Sequence, residues 1–291
     1  LVVTLAACLL YQAYRIFPYT VFHSKQVQQS RRNNRKSTVS LVIANVLMHN
    51  RQSSRLRQII RDSQPDIVLA VETDDWWEGQ LKELEKTHHH TVCYPLKNTY
   101  GMMLFSRLKL VEAEVRFLVE KDIPSIHTIL ELGSGIHVEL RCLHPRPPFP
   151  TESEESTERD AELVIVGKAV KRSKRPVIVA GDLNDVAWSK TTTLFQNISG
   201  LLDPRIGRGL YNSFHAYYPF FRWPVDHVFH STHFRLIELK RLEYFGSDHF
   251  PIFVHLSYEP EASAEHEQPQ ADESDSKEAQ EKIRKAEPVS N

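Results

Sequence analysis

A large α/β sandwich built as a single domain is the architecture this sequence predicts. Three observations point there. The body opens with strand and helix patterns in alternation, a glycine-turned hairpin sits in its middle, and 41% of the 291 residues are hydrophobic, enough for one sizeable core. The β-branched run 38–46, "TVSLVIANV", is the first strand. "SSRLRQIIRDSQP" (53–65) is an amphipathic helix, with Ser53 or Ser54 as N-cap and Pro65 as its stop. "DIVLAVE" (66–72) is almost wholly apolar, as a strand covered on both faces would be. "WEGQLKELEKT" (77–87) reads as a second helix, and "HTVCYP", "YGMMLFSR" and "LVEAEVRFLV" as short strands. "SIHTILEL" and "IHVELRCLH" flank Gly133-Ser134-Gly135 as a hairpin. After the polar loop 145–157, "ERDAELVIVGKAVKRS" is a helix and "PVIVAGD" a buried strand. "VDHVFHS", "FRLIELKRLEY" and "FPIFVHLSY" close the body as strands, and no solenoid repeat is present.

The termini differ from the body. "LVVTLAACLLYQAYRIFPY" approaches the roughly 20 apolar residues of a membrane span, and residues 1–22 are expected to be the end of a membrane helix, with a buried amphipathic helix as the alternative. Residues 23–37 carry Lys25, Arg31, Arg32, Arg35 and Lys36 and read as a basic linker. The folded body is then 38–258. Residues 259–291 hold ten acids against four bases and almost no large apolar side chain, which predicts a disordered acidic tail. With a formal charge of −1 overall, the remainder carries +5, compatible with an anionic substrate. Cys8, Cys93 and Cys142 are odd in number and far apart, so neither a disulfide framework nor a zinc cluster is indicated.

Polar residues collect where core strands stop. The first strand ends near Asn45, the second at Glu72, the hairpin at His144, and "VAGDLND" at Asp182 and Asn184; Asp226 and the pair Asp248-His249 stand at the last strands. Singly each has an ordinary reading as a cap, turn or edge residue. Together they suit a ligand site beyond strand ends. Magnesium, or manganese in its place, takes oxygen ligands with water and phosphate. Glu72 is the anchoring carboxylate, with Asn45 beside it. Asp182 can orient or deprotonate a water and Asn184 can donate to a phosphoryl oxygen. His249 can stabilise the developing charge or protonate the leaving oxygen, held by Asp226.

The motifs "IANV", "DIVLAVE", "YGMMLFSR", "LHP", "VAGDLND", "PVDHVF" and "GSDHFPI" occur in this order across residues 38–258. In them the chain resembles the endonuclease/exonuclease/phosphatase superfamily, which includes deoxyribonuclease I, apurinic/apyrimidinic endonucleases, neutral sphingomyelinases and inositol polyphosphate 5-phosphatases. The resemblance implies a deoxyribonuclease-I-like, four-layer α/β sandwich of two mixed sheets between helices, and divalent-metal-dependent phosphoester hydrolysis. It gives Glu72, Asn45 and Asp248 to the metal side and His249, Asp182, Asp226, His144 and Asn184 to catalysis. One departure is Leu47, where several nucleases of the family carry an acid, which leaves open whether the site takes one metal ion or two. In "YRIFPYT" and "LHPRPP" the chain is most similar to bacterial membrane-anchored members, which implies an inner-membrane location with the side of the catalytic domain open.

The expected partner is a phosphoester, in nucleic acid or in lipid, with no protein partner indicated. The aromatic stretch "YNSFHAYYPFFRWP" (211–224) bears on that choice, because Tyr217 and Trp223 could stack bases or sit in a lipid interface, or else pack on the core. Arg205 and Arg208 could meet phosphate, with an Asp203–Arg205 surface pair as the equal alternative. "HHH" (88–90) and Trp76-Trp77 are expected to be structural. A catalytically silent scaffold is the reading from a different class, and the full set of strand-end acids argues against it.

Overall fold

The computed structural model describes residues 1–31, 34–147 and 156–286. Two sheets stack face to face. One runs, edge to edge, β10 (Phe234–Arg241), β11 (Ile252–Tyr258), β1 (Thr38–Asn45), β2 (Ile67–Val71), β4 (Met102–Ser106) and β3 (His90–Tyr94). The other runs β5 (Lys109–Arg116), β6 (Ser125–Glu131), β7 (His137–Leu143), β8 (Val177–Asp182) and β9 (Asp226–His230). Alternation sorts each strand's side chains between two layers. Leu41 and Ile43 of β1 point into the inter-sheet core with Leu69, Leu140 and Ile178, while Val42 and Ala44 point outward.

Helices cover both outer faces. α2 (Ser53–Ser63) and α3 (Asp75–Leu81) lay Leu56, Ile60, Trp77 and Leu81 against Val42, Val68 and Phe105. α4 (Thr157–Lys171) and α5 (Lys190–Ser199) lay Leu163, Val166 and Phe195 against Val177, Val179 and Phe229. This is the expected four-layer sandwich. At the start of α2 the cap position falls to Gln52, with no side-chain hydrogen bond, so neither Ser53 nor Ser54 caps it; Gln64 ends it in a left-handed conformation before Pro65.

Each sheet contains one parallel pair, β1 with β2 and β7 with β8, among otherwise antiparallel neighbours. A parallel pair delivers two strand ends to the same edge. The two pairs face one another across the core, so the ends of β1, β2, β7 and β8 open at one end of the sandwich. Gly181 shows how closely they approach. At φ +151° a Cβ there would lie 1.8 Å from the Leu143 carbonyl oxygen, so only glycine fits ahead of Asp182.

The termini depart from expectation. α1 (Val2–Ile16) is 15 residues long, about 22 Å, and no helix among the described residues is long and apolar enough to cross a membrane. The buried amphipathic alternative is not met either, because no residue of α1 is buried. The basic linker is strapped to the domain: Val27 is buried, and Gln29 bridges to Leu236. The acidic end, expected to be disordered, forms α6 (Glu273–Ala286). Ala279 and Ile283 pack on Val164, Leu194 and Ile198. Lys282 meets Asp160 at 2.7 Å, and Asn197 donates to Asp275. Residues 148–155 of the expected polar loop lie outside the described residues. All three cysteines are free, Cys142 buried and Cys8 exposed.

Candidate active site

Asp182, fully buried at the end of β8, is the centre of the site. Its Oδ1 accepts the Asn184 N–H at 2.9 Å, which closes the turn after the strand. Its Oδ2 accepts from Asn45 Nδ2 at 3.0 Å and lies 3.6 Å from His249 Nε2 and 4.0 Å from His144 Nε2. Strand ends of both sheets therefore converge on one carboxylate oxygen.

His249 is held from behind. Its Nδ1 donates to Asp226 Oδ2 at 2.8 Å, and β9 pairs with β8 so that Asp226 stands opposite Asp182. Burial works against charge on this ring, but the Asp226 and Asp182 carboxylates outweigh it and raise its pKa to about 10. Burial, and then the charge of Asp226, raises the pKa of Asp182, with His249 drawing it back. His144 is equally buried and lacks such a partner. Burial pushes it down to about 4, so it is neutral at pH 7, and its Nδ1 has no hydrogen-bond partner among the described residues.

Glu72 follows β2 in a left-handed backbone (φ 60°) and accepts from Asn45 Nδ2 at 2.8 Å. Burial pushes its pKa up to about 7; the Asn45 hydrogen bond and the charge of His249 draw it back, and Asp182 and Asp248 add to the rise. Among the described residues no Lys or Arg forms an ion pair with Glu72 or Asp248. Such a cluster of oxygen donors, short of positive charge, fits a divalent cation. Asp182, Asp226 and His249 also lie close enough together to hold an ion. The His249 ring is already engaged with Asp226 at 2.8 Å, whereas Glu72 and Asp248 have no ion-pair partner among the described residues. Asn45 does not present an oxygen there. Its Oδ1 takes the Leu47 N–H at 3.0 Å, and its amide nitrogen spans Glu72 and Asp182, which makes it a donor between two carboxylates. Asn184, also left-handed at φ 51°, donates Nδ2 to the Pro145 carbonyl at 2.9 Å, not outward.

Two expected substrate contacts are structural. Arg205 is 4% exposed and bonded on every side: Nε and Nη2 donate to Asp203, Nη1 to the Asp226 carbonyl, and Nη2 to His227 Nδ1. The Asp203 pair is thus buried, not on the surface. Arg208 donates to the Pro204 and Val27 carbonyls and clamps the linker. The aromatic stretch takes the other course. It is pinned at its base by Phe214, which pairs with Trp223 and packs 5.0 Å from the His249 ring. Beyond that base Tyr217, Tyr218, Phe220, Phe221 and Trp223 are exposed, Phe220 by 92%. The histidine run diverges as expected: His88 is buried against the Pro65 carbonyl and His89 is exposed.

Sequence reasoning missed two latches. Ser247 Oγ donates to the Asn45 carbonyl at 2.8 Å and accepts the His249 N–H at 3.0 Å, tying the histidine loop to β1. Ser213 Oγ accepts the Asp226 N–H at 3.2 Å. Nothing in the pattern around either serine sets it apart from an ordinary turn residue.

Solved structures share this fold at low identity. D. rerio TDP2 complexed with a single-strand DNA product is 17% identical with a TM-score of 0.64, over 76% of this chain and 99% of that one. The human nocturnin catalytic domain with bound sulfate is 18% identical with a TM-score of 0.63, over 77% and 95%. Sphingomyelinase C from Streptomyces griseocarneus is 16% identical with a TM-score of 0.53, over 75% and 99%. No curated protein matches the chain. The model of the Endonuclease/Exonuclease/phosphatase family matches residues 42–249, a stretch that runs from β1 to His249 and encloses every residue of the site, and the chain belongs to that family of phosphoester hydrolases.

Proposed function

We propose that the chain is a divalent-metal-dependent phosphodiester hydrolase that works by attack of an activated water. The convergence of Asn45, His144 and His249 on Asp182 carries this reading. The raised pKa of Asp182 makes it a better proton acceptor near neutrality than a free carboxylate, so it orients the water and takes its proton. His249, kept charged by Asp226, stabilises the charge that develops on the phosphoryl group and returns a proton to the leaving oxygen. Neutral His144 offers a hydrogen bond to phosphate without adding charge. Glu72 with Asp248 would hold the cation, magnesium or manganese, which when bound offsets phosphoryl charge as a Lewis acid. Asn45 keeps Glu72 and Asp182 apart and oriented.

The test is hydrolysis in magnesium or manganese by the full chain, comparing single- and double-stranded DNA, RNA, a phospholipid diester and a phosphomonoester. The Asp182→Ala, His249→Ala double variant is the blank. Turnover that vanishes in the variant supports the reading, whereas equal rates for both proteins overturn it. A second reading, a lipid phosphoester cleaved at a membrane surface, is favoured by the exposed aromatics beside His249.

A further inference from the structure

We infer that α1 and the aromatic loop 217–223 enter one lipid surface together and hold the catalytic mouth against its headgroups. Two apolar features stand free of the core. Along α1 and its first neighbour, Leu1, Val2, Leu5, Leu10, Tyr11 and Tyr14 are each at least half exposed, and at about 100° per residue they leave no wide side of the helix without a large apolar side chain. A helix apolar all round suits surroundings that are apolar on every side; a protein groove would cover one stripe. The loop adds Tyr218, Phe220 and Phe221, aromatic types that favour the headgroup boundary.

Both features are fixed to the same end of the sandwich. Arg15, at the foot of α1, donates Nη2 to the Trp188 carbonyl at 2.6 Å and to Thr193 Oγ1 at 3.1 Å. Tyr19 donates its hydroxyl to the Ala187 carbonyl at 2.6 Å. Residues 187 and 188 lie on the loop that leaves Asp182. The aromatic loop leads into Asp226, which pairs opposite Asp182, and its Phe214 touches His249. The helix foot and the loop therefore flank the one site.

Charge fits as well. Arg222 of the loop and Arg241 of β10 both stack on Phe250, at 4.9 and 4.5 Å. Lys25 and Arg31 follow α1. Cations behind an apolar tip suit anionic headgroups.

The inference rests on the hydrolase reading only for what the mouth does there, and its test needs no turnover. The full chain is floated with vesicles of phosphatidylcholine, with and without phosphatidylglycerol, and with brominated acyl chains that quench tryptophan. We expect binding that strengthens with phosphatidylglycerol, and quenching that falls by half or more in Trp223→Phe. Phe220→Ser with Phe221→Ser should weaken partition about tenfold at unchanged Tm, and Leu5→Ser with Leu9→Ser should weaken it separately. Asp182→Ala should bind vesicles as the parent does, even if no substrate is ever cleaved. Failure to float, loop variants that bind as tightly as the parent, or quenching untouched by Trp223→Phe would overturn the inference. So would self-association through α1, or oligonucleotide binding through the loop, in a chain that ignores vesicles.

Discussion

The two corners of the site are built on opposite electrostatic terms. At the His249 corner each carboxylate faces a cation of the chain's own: Asp226 at 2.8 Å and Asp182 at 3.6 Å share one imidazolium. At the Glu72 corner neither Glu72 nor Asp248 has a Lys or Arg paired to it among the described residues, and burial takes the pKa of Glu72 up to about 7. The first corner is complete as the chain folds it. The second is complete only with added positive charge.

The sharpest break in that comparison is at the finished corner. Asp182→Ala or His249→Ala should lower kcat by about 10²–10⁴, measured under saturating magnesium, with Tm readings to show that the variants fold. The double variant should lose little more than the worse single one, because the two groups act on one proton path. Additive losses would mean that they act separately.

Next in size is the frame behind Asp226. Arg205→Met leaves Asp203 buried without its partner and removes the contact to His227 Nδ1. It should cost about 3–5 kcal/mol in denaturant unfolding. Adding Asp203→Leu to Arg205→Met should recover a good part of that. An unchanged unfolding midpoint together with a raised KM would instead return Arg205 to the substrate.

The unfinished corner gives a smaller, conditional effect. Magnesium well above its dissociation constant should raise Tm by about 5 °C, and Glu72→Gln should abolish that rise. If Asp182→Asn abolishes it while Glu72→Gln does not, the cation belongs to the Asp182–Asp226–His249 group.

The strand-end acids were legible in the sequence because strand, glycine and acid are local in the chain. Arg205 was not, since its burial depends on Tyr19, Asp226 and His227 closing round it, and the tight Asp203–Arg205 spacing suits a surface pair equally well. The exposure of Phe220 has the same origin: apolar identity says nothing of whether a loop folds back. α6 is a different case. Its poverty in large apolar residues suggested disorder, yet it carries the i,i+4 pairs Glu273–Lys277, Glu278–Lys282 and Glu281–Lys285, a helical charge pattern that composition averages away. Lys282 then reaches Asp160 and docks it.

Glu162 sets the smallest effect apart from the site. It is a buried carboxyl on α4 whose Oε1 has no hydrogen-bond partner among the described residues, and burial, with Glu120 adding, pushes its pKa up to about 8. The folded state therefore holds a proton that the unfolded state has released between about pH 4.5 and 8, so stability falls as pH rises through that window. Glu162→Gln removes the charge at no cost in shape. It should raise Tm by about 3 °C at pH 8.5 and leave it unchanged at pH 4. At Glu72 the same unpaired burial has a remedy in solution, since magnesium should supply there what substitution supplies at Glu162. If magnesium raised the Tm of the parent and of Glu72→Gln equally, the shortage of positive charge at the Glu72 corner would be, like that of Glu162, a matter of stability and not of cation binding.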